Sequence, residues 1–191
     1  MSVHLKEFKL MSLLLAVFFS TNAFASDSEE FKFPNETVVE SEKLILNGQA
    51  IRKVTIFNIK VMMVGLYLKT KSDNSEQILL SKTLKQIQIR FLRNIASEKI
   101  SGMLREQLVK KCLSECIALK SKADHLGQMM IDFKAGDSLT FIFSNEEVKL
   151  LTNNNASGTI QGKHFSNALL SLWIGDNPID DSLRRGLLGA F

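Results

Sequence analysis

Residues 44–68 read LILNGQAIRKVTIFNIKVMMVGLYL, and the fold is decided by how this stretch is divided. It is dense in Val, Ile, Leu, Phe and Met, the composition of a half-buried or buried strand. Gly48 and Asn58 are its turn residues, which predicts two or three tightly joined strands. Thr55, Phe57, Ile59, Val61 and Met63 fall on one side of a period-two alternation. Ile56, Asn58, Lys60, Met62 and Val64 fall on the other. The second side is polar near the turn and apolar further along, so it runs from solvent towards a covered pocket. Working outward, Lys85–Leu92 (KQIQIRFL) alternates strictly, with Ile87, Ile89 and Phe91 opposite Gln86, Gln88 and Arg90. Ser75–Leu80 is a short helix with Ser75 as its expected N-cap. Ser97–Lys111 and Ser114–Phe133 have helical spacing, with one stripe of Ile100, Met103, Leu104 and Leu108 and another of Ile117, Leu126, Met129, Met130 and Phe133. Strands are expected again at 138–143, 148–151 and 157–160, then a helix over His164–Trp173 and a last one capped by Asp180 or Asp181. Strands and helices segregated in this way predict an α+β domain, an antiparallel sheet with helices packed on one face.

The N-terminus has a different character. Lys6 and Lys9 precede an apolar run, Leu10–Phe19, and Ala23 and Ala25 form an A-x-A pattern before Ser26. This is the layout of a cleavable export signal over residues 1–25. The run ends at Ser20, too short for a bilayer span of about 20 residues. Residues 26–42 (SDSEEFKFPNETVVESE) are polar and acidic and are read as a flexible N-terminal arm that orders as it joins the sheet. Residues 43–191 form the domain. The expected location is periplasmic or secreted, with no stable membrane insertion after cleavage. A net charge of +4 over 191 residues, without a basic run interleaved with aromatics, predicts no nucleic-acid partner. Composition does not fix the oligomeric state.

Of three histidines, His4 lies in the signal, and His125 and His164 have no neighbours at metal-ligand spacing, so no metal site is expected. No phosphate loop, H-E-x-x-H or G-x-S-x-G is present, and no cofactor is expected. Asp180 and Asp181 are explained by helix capping rather than by acid–base work. Cys112 and Cys116 stand four apart, and an oxidising compartment makes a disulfide the leading reading. Two reduced thiols and a metal site are the alternatives, the latter short of ligands. A bond implies that the helix breaks around Leu113 and restarts at Ser114. Arg52 needs an explanation because its fixed charge lies between apolar stretches. Either it reaches water at a sheet edge or an anion meets it. Met62, Met63, Met103, Met129 and Met130 are either ordinary core or the lining of an adaptable apolar pocket.

An ordered set of segments carries a resemblance. LNGQAIRKV (46–54), VGLYLK (64–69), IRFLRNIASEKI (89–100), the Gly136–Asp137 pair before a strand, and NALLSLWIGDNPIDDSLRRGLLG (167–189) together resemble the chalcone isomerase-like superfamily, in its exported bacterial branch. The resemblance implies an open-faced β-sandwich with a ligand cleft between a large antiparallel sheet and its helices. Members of that superfamily are either isomerases that close a chalcone or non-catalytic fatty-acid binders. In both, an arginine at the position matched by Arg52 meets the ligand's negative charge. The other matched positions are apolar here. A threonine or tyrosine is replaced by Met62, the catalytic tyrosine by Ala96, an asparagine by Met103, and a threonine by Leu172. The implied ligand-binding set is therefore Arg52, Met62, Ala96, Met103 and Leu172, with no catalytic residue beyond Arg52 should the protein be an isomerase. Losing the donors that would hold a polarising water removes the means to stabilise an enolate. The expected function is non-catalytic binding of a small hydrophobic or amphipathic ligand, such as a fatty acid, in the cell envelope. An intramolecular lyase of chalcone isomerase type and a structural or interaction module without ligand are the alternatives.

Overall fold

The computed structural model describes residues 32–112 and 116–189. The export signal expected at 1–25 lies outside them, as do Leu113 and Ser114. Seven strands form one antiparallel sheet whose spatial order is the chain order: β1 (Glu36–Val39), β2 (Glu42–Val54), β3 (Ile59–Leu68), β4 (Lys85–Phe91), β5 (Ser138–Phe143), β6 (Glu147–Thr152) and β7 (Asn155–Gln161). The helices are α1 (Ser75–Leu80), α2 (Ser97–Lys110), α3 (Cys116–Gln128), α4 (Lys163–Ile174) and α5 (Asp181–Leu187). Alternation assigns the two faces. Val64 and Leu66, Ile87, Ile89 and Phe91, and Leu139, Phe141 and Phe143 point into a core shared with Leu104, Leu126, Leu169, Trp173 and Leu183 of the helices. Because a one-residue slip would send every one of these side chains to the other face, burial at about 1.5–3 kcal/mol per large apolar side chain fixes the register.

The opposite face carries a smaller cluster of Phe33, Val39, Leu44, Met63 and Tyr67. The described part of the expected 26–42 arm contributes Phe33 and Val39 to it. Glu36–Val39 pairs with β2, Phe33 N donates to Gln49 Oε1 at 3.0 Å, and the buried Tyr67 hydroxyl donates to Pro34 O at 2.9 Å. Phe33 lies over Gly65, where a Cβ would come within 2.9 Å of its ring.

Several expectations are corrected. Gly48 is not a turn residue: β2 runs through it with a bulge at 46–48, so the region contains one hairpin. The bulge turns Asn47 inwards, where its amide donates to Leu187 O (2.8 Å) and Ser72 O (3.0 Å) and accepts from Ser72 N (2.8 Å). This ties β2 to α5. Thr55 and Phe57 belong to the turn at 55–58 rather than to an alternating strand, and both are exposed. The N-cap of α1 is Asn74, whose side chain accepts from Gln77 N, rather than Ser75. Helix α3 ends at Gln128, short of Phe133. Phe133 instead bridges Ile95 in extended form and stacks on Phe91 with ring centroids 4.3 Å apart. Ile117 leaves the expected stripe at 88% exposure, because Leu119, Ala123 and Leu126 form the buried face of α3. Cys112 and Cys116 are bonded, with Cα atoms 5.5 Å apart, and the bond joins the chain just beyond α2 to the first residue of α3.

Candidate ligand cavity

Strands β2 and β3 form one wall of a cavity of about 360 Å³. Arg52 and Met62, partners across the β2–β3 ladder, lie on this wall with Val54 and Val61. Ile89 and Phe91 of β4 and Leu139 and Phe141 of β5 form the floor, Ile100, Met103 and Leu104 of α2 form the lid, and Trp173 of α4 closes the far side. Arg93, Asn94, Ala96 and Lys99 also line it, and all four are exposed, which places them at its mouth.

Of the five residues expected to contact a ligand, the structure gathers Arg52, Met62, Ala96 and Met103 around this one space. Leu172 is not among them. It is fully buried in the core, and its neighbour Trp173 lines the cavity instead. Successive helical residues point about 100° apart, so a one-position error in matching the helix exchanges a core residue for a wall residue. Met62 and Met103 contribute apolar side chains to its wall.

The electrostatics centre on Arg52. Its Nε lies 3.8 Å from Asp180 Oδ2, with the side chains 25% and 20% exposed. That is an ion-pair distance but too long for a hydrogen bond. Its Nη1 donates to Met103 Sδ at 3.5 Å, a weak acceptor. Asp180 reaches Arg52 because α5 lies directly on β2: a Cβ at Gly48 would come within 2.1 Å of Gly186 O, so only glycine admits this approach. The other Asp180 oxygen accepts from Ser182 N (2.9 Å) and Leu183 N (3.1 Å), the expected N-cap. An internal ion pair and an open cavity thus coexist at Arg52.

Two buried donors near this space lack hydrogen-bond partners, Arg52 Nε and Trp173 Nε1. Both residues line the cavity. Trp173 and Asp180 were not singled out in the sequence as site residues. A lone tryptophan in an apolar helix reads as core, and a capping aspartate gives no sign that its second oxygen faces a distant arginine. Among the described residues no group of three or more His, Cys, Asp or Glu side chains is placed to hold a metal ion.

A comparison with curated proteins finds no match. Among solved structures, a crystal structure of an Arabidopsis thaliana fatty-acid binding protein is similar, with a TM-score of 0.65 at 15% sequence identity, covering 83% of this chain and 91% of that one. At that identity the likeness is one of fold: the same curled antiparallel sheet with helices. The family model described as chalcone isomerase-like matches residues 25–189, nearly the whole chain, and the chain therefore belongs to the chalcone isomerase-like family.

Proposed function

We propose that the protein binds a small amphipathic anion of fatty-acid type in the 360 Å³ cavity without transforming it, and that it does so in the cell envelope after losing the 1–25 signal. The observation that carries this reading is the pair of unpartnered buried donors, Arg52 Nε and Trp173 Nε1, on two residues that line a mostly apolar cavity. An unsatisfied buried donor costs about 1–3 kcal/mol, and a carboxylate is an acceptor that satisfies such donors while meeting the guanidinium charge. The apolar residues around them suit an acyl chain. A water-sized unit occupies about 30 Å³ of liquid and a methylene is similar, so the cavity encloses roughly a dozen heavy atoms. That corresponds to a medium-length acyl carboxylate, with any longer chain leaving by the mouth. The fatty-acid binding protein of the same fold supports the reading. Catalysis of the chalcone isomerase kind is disfavoured because Met62, Ala96 and Met103 supply no side-chain donor for a developing enolate.

Native mass spectrometry of protein purified without detergent tests the proposal. The expected spectrum contains a co-purifying species with the mass of a fatty acid, absent from Arg52→Met. A protein that is consistently empty and does not take up added fatty acid contradicts it.

A further inference from the structure

The turn between β2 and β3 presents the most exposed large apolar pair of the described residues. Ile56 is 89% and Phe57 78% exposed, whereas every other described phenylalanine is at most 8% exposed. The turn is internally closed: Asn58 N donates to Thr55 O at 3.2 Å and Phe57 N to Thr55 Oγ1 at 3.3 Å. Thr55 and Asn58 both adopt positive φ, +65° and +52°. Below the apex, Lys53 and Lys60 are direct cross-strand partners, both exposed, and among the described residues neither has a carboxylate within ion-pair distance. Like charges directly opposite one another destabilise a ladder, so this pair is suited to an external anion. No Asp or Glu occurs from Lys43 to Lys71. On the cavity side of the hairpin, the exposed Arg93 and Lys99 at the mouth are likewise without an ion-pair partner among the described residues.

We propose that this hairpin is a docking finger for an anionic lipid bilayer, with Ile56 and Phe57 entering the headgroup region and Lys53 and Lys60 contacting lipid phosphates. An apolar tip ringed by cations matches the layered chemistry of that surface. A second copy of the chain is a poor occupant, because two facing fingers would bring four lysines together. The feet of the finger, Arg52, Val54, Val61 and Met62, are also cavity wall, so docking sets the cavity beside the bilayer. This use of the cavity rests on the binding reading above, whereas the docking itself does not. Among the described residues no helix is long and apolar enough to cross a membrane.

The test is co-sedimentation of the purified protein with vesicles of phosphatidylcholine containing phosphatidylglycerol, and with vesicles of phosphatidylcholine alone. The proposal expects binding to the first that weakens with salt, roughly tenfold or greater loss in Ile56→Ser/Phe57→Ser, and about fivefold loss for each of Lys53→Gln and Lys60→Gln. Fatty-acid titration in solution should be unchanged in these variants, which separates a failure of docking from a failure of the cavity reading. Lys120→Gln, on the exposed side of α3, should bind vesicles as the parent does. Absence of binding to anionic vesicles overturns the proposal. So does equal loss in Lys120→Gln, which marks a non-specific charge effect. A dimer in solution that Phe57→Ser dissociates also overturns it, assigning the apex to self-association.

Discussion

At the residue scale, Arg52 is restrained without being saturated. Asp180 stands 3.8 Å from Nε and a thioether takes one Nη1 hydrogen bond, which leaves Nε without a hydrogen-bond acceptor on a residue that lines the cavity. Trp173 adds a second unsatisfied donor. Trp173→Phe keeps most of the ring and removes that N–H, so the ligand-free protein should be equally or slightly more stable. Affinity for a fatty acid should fall by about five- to tenfold, read by titration calorimetry alongside thermal unfolding. Lys85 offers an independent check on the packing. It is buried, its Nζ donates to Ser81 O (2.8 Å) and Thr83 O (3.0 Å), and burial pushes its pKa down to about 8. The unfolded chain therefore holds more protons between that value and the ordinary lysine range, and stability should rise as pH increases through this window. Lys85→Met should flatten the rise in urea denaturation at a series of pH values. Arg52 was legible in the sequence because a fixed charge between apolar stretches demands a partner. Trp173 was not, because its N–H is invisible to any pattern of apolar spacing, and its place in the same cavity wall as Arg52 depends on how α4 packs in the folded molecule.

At the scale of elements, the pairing of β2 with α5 controls the site. Gly48 and Gly186 allow the helix backbone to rest on the strand, and Asn47 fastens the two through Leu187 O. Gly48→Ala should cost about 3 kcal/mol, seen as a lower urea midpoint with unchanged slope, and should weaken ligand binding by moving Asp180 from Arg52. The sequence marked Gly48 as a turn because glycine punctuates both turns and bulges, and only the partner strand distinguishes them. The Asn58 turn was legible because asparagine tolerates the positive φ that the turn requires, but Ile56 and Phe57 read as strand and hid its extent. Helices α2 and α3 pack together, linked by an ion pair between Arg105 and Asp124 and by the Cys112–Cys116 bond. The closed loop is short, so Cys112→Ser/Cys116→Ser should lower stability by only about 2 kcal/mol without abolishing the fold, as thermal unfolding with and without reductant can show. Spacing alone overextended α3 to Phe133, since apolar residues at 129, 130 and 133 fit a helix as well as they fit the extended segment that bridges Ile95.

At the scale of the whole molecule, a seven-stranded meander in chain order makes every strand pair a neighbour in sequence, which is why the antiparallel sheet and its helical cover could be read from alternation and segregation. The cavity could not be read in the same way, because its walls come from four strands and two helices whose separation depends on how helices of fixed length cover a curled sheet. Its size sets a limit on what it can enclose, and that limit gives the most direct test of amphipathic-anion binding. Calorimetric titration with saturated fatty acids of increasing length should show affinity rising about fourfold per methylene up to roughly ten carbons, then levelling. Arg52→Met should lower affinity by about 10- to 100-fold at every length. Affinity that is independent of chain length, or unchanged in Arg52→Met, would contradict the account.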